Sequence, residues 1–173
     1  MIARKLNANS LAKNQDIEVV DNPVDVINAG DAIFILSMGN YVDKPATVQM
    51  LKDGQLSTIG NATMMSYDAY NNQLYMINAP YGGDKEYKVY DLKNGQTTTF
   101  LTNPDIFSPY SIAVNPVNGD VFITSLTKNP DTGYADYTAK GKLYRYTSAG
   151  ILLGTYDCGV NPGTIVCDSY YQK

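Results

Sequence analysis

The chain has 173 residues, 13 Lys and Arg against 17 Asp and Glu, a formal charge of −4, 15 Tyr, and neither His nor Trp. That length suits one domain with a real core, while the absence of any Lys/Arg cluster removes the electrostatic footprint of a nucleic-acid binder. No run approaches the ~18 apolar residues of a membrane span, and the lack of His removes Ser-His-Asp and Cys-His catalysis and most transition-metal sites.

The opening MIARKLNANSLAKNQ has no apolar h-region, so no signal peptide is expected in it. Residues 3–20 hold two short runs, 3–6 and 15–20. Then Asn22-Pro23-Val-Asp-Val26 opens a pattern that returns as Ser108-Pro109-Tyr-Ser-Ile112 and Asn161-Pro162-Gly-Thr-Ile165. Asn61-Ala62-Thr-Met-Met65 keeps the spacing without the proline. The openers Pro23, Ala62, Pro109 and Pro162 stand 39, 47 and 53 residues apart. Each full unit continues with a second apolar run (32–36, 74–77, 121–124) and a later hairpin around Asp53-Gly54, Asn94-Gly95 or Ala149-Gly150. Short runs of β-branched and aromatic residues bounded by Asn, Gly and Pro predict strands. Asp-Gly and Asn-Gly tolerate φ > 0 and predict tight hairpin turns.

A period of about 40–50 residues with four strands per unit is the pattern of propeller blades. The chain is therefore expected to be all-β, with four-stranded antiparallel blades at 22–60, 61–102 and 108–158. Residues 3–20 are expected to be the outer half of a further blade, and 163–168 the inner strand of a shared one. About four blades make half of a seven- or eight-bladed ring. The main competing architecture is a β-sandwich. An open arc would leave strand edges unpaired. The expected partner is thus a second copy that closes an eight-bladed ring, or a missing N-terminal half.

The loops from second to third strand, 37–46, 79–86 and 126–141, absorb most of the variation in unit length. They share one face with the crossing 103–109, and binding usually resides in such loops. They repeat a composition of Tyr with Asp. The candidate ligand-binding residues are Tyr41, Asp43, Tyr81, Asp84, Phe107, Tyr110, Tyr134, Asp136 and Tyr137. Aromatic faces beside carboxylates suit a glycan or a peptide, although tyrosines that merely pack their own loops give the same pattern. The absence of Trp, the better stacking platform, counts against sugar. Asp84, Asp131 and Asp136 have no EF-hand spacing. A metal-dependent hydrolase or lyase using the loop carboxylates is the enzymatic alternative, and Asp43, Asp84 and Asp136 could converge on the ring axis as paired acids; no cofactor is expected. Cys158 and Cys167 read as two small hydrophobes, with a disulfide as the lesser alternative.

The motifs Asn-Pro-x-x-Val/Ile, Gly-Asp leading into Phe-Ile (30–37 and 119–126), and Leu143-Tyr-Arg-Tyr followed by Gly150-x-x-x-Gly154-Thr-Tyr resemble the YVTN-type propeller repeat. They are most similar to the YncE-like propellers of the Bacteroidetes cell envelope. The resemblance spans essentially the whole chain, at about half the length of seven- or eight-bladed members. It implies a secreted or lipoprotein-anchored binding role, hence a periplasmic or cell-surface location. Its motifs are structural, so it assigns no functional residue. The function expected is that of a non-catalytic propeller binding a glycan, peptide or protein through its long-loop face. A structural half that assembles with a second copy is the alternative.

Overall fold

The computed structural model describes residues 1–168, and these are all-β and antiparallel. No helix in them is long and apolar enough to cross a membrane. The chain divides into two compact units, residues 1–63 and 64–173.

The first unit opens with a hairpin, β1 (Ile2–Leu6) and β2 (Lys13–Glu18). A four-stranded sheet follows in simple order: β3 (Pro23–Asn28), β4 (Ala32–Ser37), β5 (Thr47–Lys52) and β6 (Gln55–Asn61). β4 is an unbroken apolar run, AIFILS, and is buried on both faces, as such a run requires. β5 beside it is also largely buried, and the edge strands β3 and β6 are mostly exposed. One face of the hairpin, with Ala3, Ile17 and Val19, packs on Ile33, Ile35, Leu51 and Leu56 of the sheet. Gln49 Oε1 accepts from the Val20 amide at 2.9 Å and fixes the chain between hairpin and sheet. Lys52 pairs with Gln55 across Asp53-Gly54, whose φ values of 51° and 75° are those of the two-residue turn that matches strand twist.

The second unit contains two sheets. The first is β7 (Met64–Asp68), β8 (Gln73–Asn78), β9 (Glu86–Asp91) and β10 (Gln96–Leu101). The other is β11 (Ser108–Val114), β12 (Val121–Lys128), β14 (Lys140–Tyr146) and β15 (Leu152–Val160). A short strand, β13 (Ala135–Asp136), pairs with β12 inside the stretch expected to be loop. The two sheets meet face to face. Tyr75, Ile77, Tyr87 and Leu101 pack against Ile106, Val114, Val121, Ile123 and Tyr146. Full burial of each aliphatic side chain here contributes about 1.5–3 kcal/mol. Phe100 stands edge-on to both Tyr75 (4.8 Å) and Tyr146 (6.2 Å).

Polar contacts lock the same two sheets. The Val114 amide donates to Ser66 Oγ at 3.1 Å. Tyr75 Oη donates to the Ser148 carbonyl at 3.2 Å, and burial pushes its pKa up to about 12. At the far end, Asp68 is fully buried. Its carboxylate accepts from the Tyr70 and Asn71 amides and from Asn71 Nδ2 at 2.7 Å, forming a closed turn.

Two expectations differ from the structure. Asn94-Gly95 closes a four-residue loop, with the Gly95 amide donating to Asp91 O, because Asp91 pairs with Gln96 and not with a nearer residue. Residues 163–168 form no strand. A strand exists as a ladder, and this extended segment has no neighbour to pair with.

Gly119 carries the turn between β11 and β12 against the Asp68 turn. Its φ is +73°, and an added Cβ would lie 2.5 Å from Asn71 Nδ2 and 3.0 Å from Asp68 Oδ2. Gly54 has a similar φ of +75° but open space around it. Gly119→Ala is expected to cost about 3 kcal/mol, as strain plus overpacking, and Gly54→Ala about 1 kcal/mol, as strain alone. Chemical denaturation of both variants checks the difference; equal losses would contradict the close approach.

Candidate functional site

Two of the long loops, 37–46 and 126–141, are held by short polar side chains that bond to their own backbone. In the first unit, Asn40 Oδ1 accepts from the amides of Val42, Asp43 and Lys44. Asn40 Nδ2 in turn donates to Asp43 Oδ1 at 2.6 Å. This clamp leaves Tyr41 78% exposed, in the left-handed region at φ 60°. Asp43 serves its own loop.

In the second unit the candidates sit on the loop 79–85, the crossing 102–107, the start of β11 (Tyr110) and the hairpin that holds β13. Tyr81, at the tip of the first loop, is 97% exposed. Asp84 is exposed on the same loop. Lys85 reaches across to the crossing: its Nζ donates to the Phe107 carbonyl and lies 5.5 Å from the centre of the Phe107 ring. That is cation–π geometry.

The hairpin around β13 is ordered by Asn129 and Asp136. Asn129 Oδ1 accepts from the Asp131 and Thr132 amides, and its Nδ2 donates to Asp136 Oδ2 at 3.4 Å. Asp136 Oδ1 accepts from the Thr138 hydroxyl at 2.7 Å and from the Thr138 and Ala139 amides. Tyr137 is thereby brought against Tyr110, edge to face at 6.4 Å. Tyr110 also borders the chain after β15, for a Cβ on Gly163 would stand 3.3 Å from its ring. Tyr134, at the hairpin tip, is 68% exposed.

The structure therefore joins Tyr110 to Tyr137 and anchors Phe107, while Tyr81 and Tyr134 project alone. It adds three residues that sequence reasoning passed over: Lys85, Asn129 and Asn40. Asn40 and Asn129 had a legible signal, since an Asn opening a turn binds its own backbone two and three residues on. Lys85 had none, because its partner lies 22 residues away.

Asp136 is held below its ordinary 3.8, first by the Thr138 hydroxyl and then by backbone amides. That carboxylate is committed to its loop. Cys158 and Cys167 are free thiols, and burial pushes both upward, which makes them poor nucleophiles. Among the described residues, no three Cys, Asp or Glu side chains come together as ligands for a cation.

No protein-family model and no curated protein matches the sequence. Solved structures do match. The β-propeller domain of the Trilobed protease from Pyrococcus furiosus, described as having an open velcro topology, aligns with TM-score 0.59 at 13% identity, over 80% of this chain and 43% of that one. A gluconolactonase from Xanthomonas campestris aligns with TM-score 0.55 at 21% identity, over 84% of this chain and 49% of that one. TolB from Acinetobacter baumannii aligns with TM-score 0.52 at 10% identity, over 90% and 37%. The chain spans between a quarter and a half of the length of the first structures it matches. At these identities the likeness shows the fold: the chain is built of β-propeller blades, about four of them.

A carboxylate with a lowered pKa lends stability above its unfolded value, and that stability is lost as pH falls through the folded value. The Asp136 carboxyl is expected to titrate below 3.8 in a carboxyl NMR titration. The Thr138 and Ala139 amides should lose hydrogen-exchange protection only as that midpoint is crossed. Titration at or above 3.8 would contradict the clamp.

Proposed function

We propose that the protein is a non-catalytic binding module of the cell envelope that takes a glycan or peptide segment on its long-loop edge. The carrying observation is that the exposed Tyr41 and Tyr134 stand on loops clamped by their own Asn and Asp side chains, while the loop of Tyr81 is tied to the next crossing through Lys85. Rigid, amphipathic rings with two torsions lose little entropy on contact, which is why binding surfaces use them. The carboxylates beside them serve as loop anchors and, where exposed as at Asp84, as hydrogen-bond acceptors.

The enzymatic reading has less support. The peptidase and lactonase activities in the names of structural neighbours belong to those proteins. Here the chain has no His, and Asp136 is saturated by four donors from its own hairpin. The location rests on the repeat motifs that resemble YncE-like envelope propellers, among them Asn22-Pro23 and Asn161-Pro162.

Tyr81→Ala, Tyr134→Ala and Tyr41→Ala test the reading against glycan arrays and an extended-peptide library. Each ring that contacts ligand is expected to weaken binding about tenfold on removal, with thermal stability unchanged because these rings are exposed. Binding that survives all three substitutions together would sink the loop-edge assignment.

A further inference from the structure

The first unit holds a cleft of about 500 Å³ where the end of the β1–β2 hairpin, the crossing 19–21 and the loop 37–46 meet. That volume suits a small ligand or a single residue of a longer one. Its polar wall is Glu18, Asp21, Lys44 and Gln49, with Ile2 and Val20 as apolar neighbours. Lys44 belongs to the long loop that carries Tyr41. The Tyr41 hydroxyl in turn accepts from Asn22 Nδ2 at 3.5 Å, next to the same crossing. The cleft and the exposed ring therefore share one edge of the unit.

Gln49 is the buried polar side chain of this wall, at 9% exposure. Its Oε1 accepts from the Val20 amide at 2.9 Å. That bond settles which way round the side-chain amide lies, because only its oxygen can accept. Nε2 has no partner among the described residues, so two N–H donors are left to the cleft. The charges nearby are mostly matched. The Met1 nitrogen donates to the Val19 carbonyl and lies 3.5 Å from Asp21, whose other cation is Lys44 Nζ at 2.8 Å. Glu18 is the exception, an exposed carboxylate with no ion pair among the described residues. An anion would accept from Gln49 but meet Glu18. A cation would satisfy Glu18 and leave Gln49 unmet, since ammonium and guanidinium groups only donate. A neutral group that both donates and accepts at neighbouring atoms satisfies the two together. Hydroxyls on adjacent ring carbons do so. The Asp21–Lys44 pair, an acceptor and a donor 2.8 Å apart, matches a second such couple. A peptide's N–H and C=O are each fixed in role, whereas every hydroxyl serves as donor or acceptor.

We propose that this cleft binds one sugar residue of a neutral glycan, with Gln49 Nε2 donating to one ring hydroxyl and Glu18 accepting from another. Ile2 and Val20 meet the ring's C–H surface. The inference rests on the loop-edge reading and deepens it, choosing glycan over peptide. Hydrogen bonds hold the ring here, so the site needs no Trp to stack on.

Side-chain amide NMR on the whole chain tests this. The probes are glucose, galactose, mannose and N-acetylglucosamine, each raised to about 50 mM, well above a millimolar dissociation constant. Glucuronate and N-acetylglycinamide serve as the anionic and peptide-like controls. At least one neutral sugar is expected to shift the Gln49 NH₂ signals saturably, and more strongly than either control. Gln49→Glu keeps an oxygen for the Val20 amide and removes the donors; Glu18→Ala removes the free acceptor at an exposed position that leaves the fold intact. Each is expected to weaken that sugar about tenfold or more. The proposal is overturned if no neutral sugar moves the Gln49 signals, if a control moves them more, or if Glu18→Ala binds the sugar as the unaltered chain does. Glycan-array binding that falls with the tyrosine substitutions but ignores Gln49→Glu and Glu18→Ala would overturn the cleft alone. An unaltered chain that takes neither glycan nor peptide would remove the loop-edge reading itself.

Discussion

The second unit depends on one contact, the face-to-face packing of two sheets over a layer of aromatic and branched side chains. Neither sheet has another way to bury Tyr75, Ile77, Val121 and Ile123, each at most 1% exposed. Everything at the loop edge is measured from this layer. Tyr75 reaches through it to the Ser148 carbonyl, and the Gly119 turn rests on the Asp68 turn beyond it. If a strand of either sheet slipped by one residue in its pairing register, its core side chains would turn to the other face.

Rigidity below allows exposure above. In each unit a long loop, 37–46 in the first and 126–141 in the second, is tied down by side chains that bond to its own backbone. Asn40, Asn129 and Asp136 each satisfy several amides that would otherwise need water. What remains exposed is aromatic surface, at Tyr41, Tyr81 and Tyr134. That division, polar groups turned inward to the loop and rings turned outward, is the physical basis for reading the edge as a binding surface.

Much of the fold was legible because blades are local structures. Strands 32–37 and 121–128 could be read from apolar runs, and Asp53-Gly54 from its dipeptide, since neighbours in sequence determine both. Asn94-Gly95 has the same kind of dipeptide but a different turn, because the register of β9 against β10 decides the loop length and a dipeptide does not encode register. The β13 pairing was invisible for a related reason: two residues carry no period. Residues 163–168 have a strand's composition and no strand's pairing, which shows that propensity without a partner leaves an extended segment and nothing more.

The site was legible in its residues and not in its contacts. Counting Tyr and Asp in corresponding loops found the exposed rings. It did not find that Tyr137 meets Tyr110, or that Lys85 ties one loop to the next crossing, because those depend on sheets meeting across tens of residues. Tyr87 gives a further example. Its hydroxyl is buried with no hydrogen-bond partner among the described residues, and burial pushes its pKa upward. A period-two pattern predicts its burial but cannot foresee an orphaned hydroxyl.

The most direct test of the account is a double-mutant cycle between Phe100 and Tyr146, which touch only if the two sheets pack face to face. Chemical denaturation of Phe100→Leu, Tyr146→Leu and the double variant gives the coupling. The account predicts about 1 kcal/mol of interaction beyond the sum of the single effects. Strict additivity would mean that the rings do not meet, and the packing from which the loop edge is positioned would be wrong.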